Sequence, residues 1–415
     1  MTNTKESGKQ AAVRLPSDAT HTPPWCVFID VTDMYDVSII PCPDYDATRL
    51  RAALEEGFLP FGGFSFVKPG MTVCIKANLV HASKPEKAAV THPALLAELT
   101  RLLVERGATV IVGDSPGGLY NASALRSVYR TCGMDVIEAA GGKLNDDFST
   151  ETVTFEKGVV LHEFLFTAWL KKADVIIDAC KLKTHGMMGM SGAAKNLFGV
   201  VPGLTKPEYH YRYPDHADFA RMIVDLDDYV APVFSVCDAV TGMEGNGPTG
   251  GTPRSIGCIL VSPSPHKLDL LAARLIGLTP AKVPTLEAAR ERGYIPDTAE
   301  ELSVCGEVMP FLLTDYQNVA DDRKRLFIAR DYHGIKRIAW SVAEQVLAAR
   351  PDIHRDKCVG CGKCRDLCPA HAITLKNGKA AISKKHCIRC FCCQEFCPLS
   401  AITVKRSAFS RHFNK

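Results

Sequence analysis

Two runs of cysteines near the C-terminus are the residues best suited to chemistry. The first is Cys358, Cys361, Cys364 and Cys368 followed by Pro369, and the second is Cys387, Cys390, Cys393 and Cys397 followed by Pro398. Each run is spaced by two, two and three residues, and every position recurs 29 residues later. The flanks recur too, Ala372-Ile373-Thr374 against Ala401-Ile402-Thr403, so the segment is an internal duplication. Gaps of two let three thiolates reach three corners of one iron–sulfur cubane, and the fourth corner lies beyond that loop. In such paired runs the last cysteine ligates the cluster of the other run. The spacing therefore predicts two [4Fe–4S] clusters. Cys358, Cys361, Cys364 and Cys397 hold one; Cys387, Cys390, Cys393 and Cys368 hold the other. Each proline turns the chain away and withholds an N–H beside the last ligand.

Zinc takes four ligands, commonly from two separated CxxC pairs, and fits this pattern poorly. Disulfides need an oxidising compartment. The segment Arg355 to Val404 resembles a bacterial-type two-cluster ferredoxin. Cys392 would break the spacing as a ligand and is read as a buried neighbour. Of the 17 cysteines, the remaining eight (Cys26, Cys42, Cys74, Cys132, Cys180, Cys237, Cys258 and Cys305) are scattered, several in apolar runs, and are expected to pack as small hydrophobes.

Charge is uneven. Arg355 to Lys415 holds 13 Lys and Arg against 3 Asp and Glu, whereas the rest of the chain holds 36 against 43. Two oxidised clusters with their thiolates carry about −4 between them, so much of the tail's excess compensates buried anions and does not point to nucleic acid. No apolar stretch approaches the roughly 18–20 residues of a membrane helix. Met1 to Pro24 reads as a flexible polar segment without a secretory h-region, and a reducing, cytoplasmic setting is expected.

Those cysteines need a scaffold. Residues 25–350 alternate β-rich runs with helical patterns, ahead of a ferredoxin-type α+β unit at 351–415. The expected strands are Cys26–Ile29, Val37–Pro41, Thr72–Ile75, Thr109–Val112, Val175–Asp178, Val233–Cys237 and Cys258–Val261. The expected helices are Ala47–Glu56, Pro93–Glu105, Ala122–Cys132, Phe164–Lys171, His216–Tyr229, Pro265–Leu275 and Gly334–Ala349. Continuous apolar strands separated by helices predict an α/β domain with a mainly parallel, doubly wound sheet.

Ligands of such sheets bind beyond the carboxyl ends of the strands. Polar loops expected there carry Lys76 and Asn78, Asp114 and Ser115 before Pro116-Gly117-Gly118, and Asp238 through Glu244. The most informative segment holds Lys181, Lys183 and His185, which share one face if extended. A Gly/Met-rich stretch then leads to a helix expected near Ser191 as N-cap, carrying Lys195 and Asn196. Cations beside a helix N-terminus suit an anionic substrate, with Lys181, Lys183, His185, Lys195 and Asn196 as catalytic candidates. Lys76, Asn78, Asp114, Ser115 and Glu244 are candidates for binding it. The Asp114 loop could also present backbone amides to an anion. Gly245-Asn246-Gly247-Pro248-Thr249-Gly250 matches G-x-G-x-x-G, but it lies well past its strand, contains proline and opens no helix, so it is not a dinucleotide fingerprint.

Several stretches together resemble the domain-of-unknown-function-362 family: Lys181 through His185, Ala194 through Gly199, Lys76 through Leu79, and Gly113 through Pro116. The resemblance spans roughly Gly70 to Leu278 plus the iron–sulfur tail that many members carry. The family is distantly similar to the N-terminal domain of lactate racemases, which hold a nickel cofactor with lysine and histidine; only a Lys and a His correspond here. The resemblance implies no particular reaction. The expectation is an iron–sulfur oxidoreductase acting on an anionic small molecule and exchanging electrons with a redox partner protein. The alternative is an electron-transfer module that docks on a partner enzyme without catalysis of its own.

Overall fold

The computed structural model describes residues 34–319 and 350–405. The segment 1–24, the expected strand Cys26–Ile29 and the expected helix Gly334–Ala349 lie outside the described residues. The main-sheet strands are β1 (Val37–Pro41), β2 (Thr72–Ala77), β3 (Thr109–Gly113) and β4 (Lys143–Leu144). A hairpin of β5 (Thr150–Thr154) and β6 (Glu163–Thr167) intervenes. The sheet continues with β7 (Val175–His185), β8 (Gly189–Ser191), β9 (Phe234–Glu244), β10 (Thr252–Ser262) and β11 (Val304–Cys305). Helices α1 (Ala47–Phe58), α2 (Pro93–Val104), α3 (Ala122–Thr131), α4 (Val136–Ala139), α5 (Ala193–Leu197), α6 (Lys206–Arg212), α7 (His216–Val230), α8 (Pro265–Leu275) and α9 (Pro284–Glu291) complete this part.

The strand order is β11-β1-β10-β9-β7-β2-β3-β4, with β8 folded back on β7. From β9 to β4 the neighbours run parallel, and β10 is antiparallel to both β9 and β1. The expected α/β class and mainly parallel sheet are therefore present, with one reversed strand inserted near an edge. Alternation along single strands shows both faces covered. Val73, Ile75, Val175 and Ile177 enter one apolar cluster, whereas Cys74 and Ile176 enter another on the opposite face. Helix starts follow local chemistry: Asp46, Asp215 and Ser264 accept backbone N–H groups as N-caps, and Pro93 and Pro265 occupy first-turn positions.

Two expectations fail. Phe164–Lys171 is not a helix: strand β6 occupies Glu163–Thr167 and a short 3-10 turn follows over Ala168–Lys172. Phe164 and Phe166 alternate into the core, a period of two that outweighs helix propensity. The helix after the Gly/Met stretch also begins later than expected, because Ser191 belongs to β8. Gly192 is the N-cap of α5 and makes no side-chain cap bond. The expected anion at that terminus is supplied by the chain itself: Asp269 accepts from Ala193 N at 2.7 Å and Ala194 N at 3.1 Å.

In the small unit, β12 (Arg350–Ile353) pairs with β15 (Ile402–Lys405), and β13 (Ile373–Lys376) pairs with β14 (Lys379–Ile382). Two single-turn helices, α10 (Lys363–Asp366) and α11 (Cys392–Glu395), repeat the duplication seen in the sequence.

Candidate functional site

The cysteines gather in two cavities of about 20 Å³ each. Cys358, Cys361, Cys364 and Cys397 line one; Cys368, Cys387, Cys390 and Cys393, with buried Cys392 beside them, line the other. Each cavity thus combines three thiols of one run with the last thiol of the other. Among the described residues no three His, Cys, Asp or Glu side chains close on a single ion. The thiols surround a space instead, which fits a cubane whose sulfur ligands sit on four corners. Backbone N–H groups of Ala372 and Ala401 point at Cys368 Sγ and Cys397 Sγ, both at 3.3 Å, and would stabilise thiolate ligands. Of the other cysteines, Cys42, Cys74, Cys132, Cys180, Cys237 and Cys258 are buried and Cys305 is half-buried.

The small unit sits on the strand ends of the large one. Gln394 Nε2 donates to Asn246 Oδ1 at 3.0 Å and to the carbonyl of Gly247 at 3.2 Å. Val404 N donates to Asn246 Oδ1. The glycine-rich segment that mimicked a dinucleotide motif is therefore a docking loop. Gly247 has to be glycine, because a Cβ there would lie 2.1 Å from the carbonyl oxygen of Thr184. Phe391 joins the apolar cluster of Met187, Met188 and Phe198.

Between the units lies a cavity of about 60 Å³, room for about four or five water-sized groups. Its wall includes Asn78, Asp114, Ser115, Lys183, His185, Lys195 and Asn196 from the sequence-derived set. Lys181 and Glu244 are not part of it. β7 extends straight through the expected loop, and its pairing with β9 slips between Lys181 and Lys183. Lys181 instead bonds Asp238 at 2.8 Å and the Tyr45 hydroxyl at 3.0 Å, buried on both sides. Glu244 accepts from Gln317 N. Lys76 stands behind the wall, 2.6 Å from Asp114. Two amides of the Asp114 loop are already used: Ser115 N donates to Asp114 Oδ1 and Gly117 N to the carbonyl of Val80.

Asn196 is locked behind Lys195. Its Nδ2 donates to Asp178 Oδ1 at 2.7 Å, and burial raises that carboxyl to about 8. Lys183 donates to Asn78 Oδ1 and the Ala89 carbonyl, and burial lowers its ammonium to about 7. His185 Nδ1 accepts from the amides of Met187 and Met188, which places its proton on Nε2. That Nε2 lies 3.1 Å from Glu395 Oε1 without the alignment of a full hydrogen bond, so Oε1 has no hydrogen-bond partner among the described residues. Burial lowers His185 below its usual range, against the pull of Glu395. Burial also opposes the charge of Glu395, but the His185 ring and nearby Lys195 outweigh it and hold the carboxyl low.

Five wall residues escaped the sequence reading: apolar Val80, and Lys206, His210, Glu395 and Phe396. Lys206 and His210 are four apart on α6, so they share a face. Lys206 is lowered to about 7 by burial and donates to the carbonyls of Ser115 and Val201. His210 is 2% exposed, and its Nδ1 has no hydrogen-bond partner among the described residues. Lys195 carries its ammonium over the Phe198 ring, 4.6 Å from the centroid, and burial lowers its pKa. A Lys–His pair at helical spacing within Lys206-Pro207-Glu208-Tyr209-His210 was the available signal. For Glu395, the signal was a lone acid inside a basic cysteine run.

A mainly parallel α/β sheet bearing an iron–sulfur unit on its strand ends defines the class. The chain belongs to the family described as Domain of unknown function (DUF362), whose model matches residues 73–274, and carries a 4Fe-4S dicluster domain matched over 350–398. It is 32% identical over 271 residues to Thylakoid-associated protein sll1697 of Synechocystis sp., covering 64% of this chain and 81% of that protein. Over 28 residues, 7% of this chain and 48% of the other, it is 54% identical to Ferredoxin-2 of Desulfomicrobium norvegicum. The lactate racemase apoprotein from Thermoanaerobacterium thermosaccharolyticum aligns with a TM-score of 0.39 at 14% identity, over 59% of this chain and 58% of that one. Among the described residues no helix is long and apolar enough to cross a membrane.

Proposed function

We propose that the chain is an oxidoreductase that binds two [4Fe–4S] clusters and acts on a small anionic molecule held between the sheet and α11. One observation carries this reading: Glu395 and Phe396, which lie between Cys393 and Cys397, form part of the wall that also holds Lys195 and His210. Consecutive Cα atoms are 3.8 Å apart, so Cys393 and Glu395 are within ~8 Å of each other. The clusters, once bound, would supply single electrons beside that wall.

The remaining work falls to the chain's own side chains. Among the described residues Lys195 makes no hydrogen bond or ion pair that would compete for an anion, and it seats the substrate's negative group with His210 beside it. Lys183 and Lys206, held near neutrality, keep a proton at Nζ within reach of a reacting group. His185 presents its Nε2–H towards Glu395 on the far side. Phe198, Phe396 and Pro116 exclude water, and the volume limits the ligand to a few heavy atoms.

The test is anaerobic reoxidation of the reduced holoprotein with a panel of small carboxylates and phosphates. One of them should reoxidise the wild type, and Lys195→Ala should lose that response while keeping its iron and sulfide. Reoxidation that needs a second protein and ignores Lys195→Ala would replace this reading with that of a docking module without catalysis of its own.

A further inference from the structure

The two cysteine cavities face different surroundings. The one holding Cys390 and Cys393 is turned inward: Phe391, Cys392, Cys393 and Gln394 are buried, and the turn that follows meets the large unit. The other opens outward. Cys361 on its rim is exposed, and Val359 and Leu399, which line it, are 66% and 47% exposed. Single exposed apolar side chains are ordinary on a surface. Here two of them frame a set of four thiols.

Cations flank this frame on the side of the first run. Arg355, Lys357 and Lys363 are exposed around the first run, and Lys379 caps the carbonyl of Cys358. The acids of the same loop are Asp356 and Asp366, and Asp366 is paired with Arg365 at 2.7 Å. The inward set is flanked instead by Glu395 and by the buried wall of the cavity. An apolar rim with lysine and arginine beside it suits a brief, charge-steered encounter with an acidic protein surface.

We propose that the face formed by Val359, Leu399, Arg355, Lys357 and Lys363 docks an acidic redox protein, which exchanges electrons with the outer cluster. This rests on the two-cluster reading and not on any ligand of the Lys195 cavity. One electron passes per encounter: the partner's cofactor is oxidised by one electron and the cluster is reduced by one, with no bond made or broken. The contact is small and polar at its edge, in the size range of transient redox encounters, below about 1,200 Å².

The test uses the whole, cluster-loaded chain and reads binding, not turnover. A flavodoxin serves as the acidic probe and a cytochrome c as the basic one, each titrated by calorimetry at low and at high salt. The flavodoxin should bind about tenfold or more tighter than the cytochrome at low salt and lose that advantage at high salt. The Lys357→Glu/Lys363→Glu variant should weaken flavodoxin binding about tenfold with iron content unchanged. The proposal is overturned if neither probe binds, if the basic one binds tighter, or if flavodoxin affinity ignores salt. Those outcomes are read on the wild type, so they stand even if the double variant loads its clusters poorly. Substrate-driven reoxidation by small anions is a separate measurement, and its failure leaves this docking face untouched.

Discussion

His185, the last residue of the central strand, meets Glu395 of the iron–sulfur unit across 3.1 Å. With Nδ1 tied to two backbone amides, the imidazole cannot turn away without breaking both. The strand end and the cysteine-bearing turn are thus registered on each other at the edge of the cavity. The same turn is held from its other side by Asn246 and Gly247.

The tightest point of that docking is Gly117. A Cβ there would lie 1.9 Å from the ring of Phe396, so the ring and its turn would have to move. Gly117→Ala should leave iron and sulfide content unchanged while amides around Gln394 and Val404 exchange faster, about tenfold or more. Unchanged exchange would mean that the ring adapts in place.

Exchange of the last ligand between runs has a quantitative signature. Cys368→Ala combined with Cys390→Ala should cost one cluster, leaving about four of about eight irons, because both residues serve the same site. Cys368→Ala with Cys361→Ala should cost both. Iron and sulfide analysis of anaerobically reconstituted protein decides between this and self-contained runs.

Lys76 and Asp114 form an ion pair that is almost wholly buried. Removing the cation leaves a carboxylate without its partner, at a cost of about 3–5 kcal/mol. Lys76→Met should therefore lower the denaturation midpoint of the α/β unit, and adding Asp114→Asn should recover part of the loss. Denaturant melts followed by fluorescence at equal cluster loading provide the comparison.

Anion binding should depend on pH with a defined sign. Burial lowers Lys183 and Lys206 to about 7, so both ammonium groups are charged below that value and neutral above it. Affinity for a small carboxylate should be full below about pH 7 and fall as pH rises through it, by up to about tenfold per unit per lysine. Global stability should move the other way. The unfolded chain keeps these lysines protonated up to about 10.4, so folding gains stability from about pH 7 upward.

The cysteine spacing was legible because a cubane constrains ligands that are near neighbours in the chain. The parallel sheet was legible for a similar reason: the runs at Val73, Val110 and Ile176 are apolar on both faces. The cavity was only half legible. Asn78, Lys183, His185 and Lys195 sit at strand or helix ends where polar residues stand out. Lys181 has the same local pattern, yet the register of β7 against β9 sets it opposite Asp238, ahead of the slip that brings Lys183 opposite Met243, and no local rule anticipates that. Lys206 and His210 depend on where α6 packs. Glu395 and Phe396 depend on how one unit sits on another, which no periodicity encodes.

The unequal exposure of the two thiol sets gives chemical damage a direction. Dioxygen or a chelator arriving from solvent meets exposed Cys361 first, whereas in the inner set Cys393 is buried and Cys368, Cys387 and Cys390 are half-buried. Loss of iron would begin at the periphery, and the inner cluster beside the Glu395 wall would be the last to go. Partly degraded protein would then be cut off from its electron source while its inner cluster still stood beside the ligand cavity.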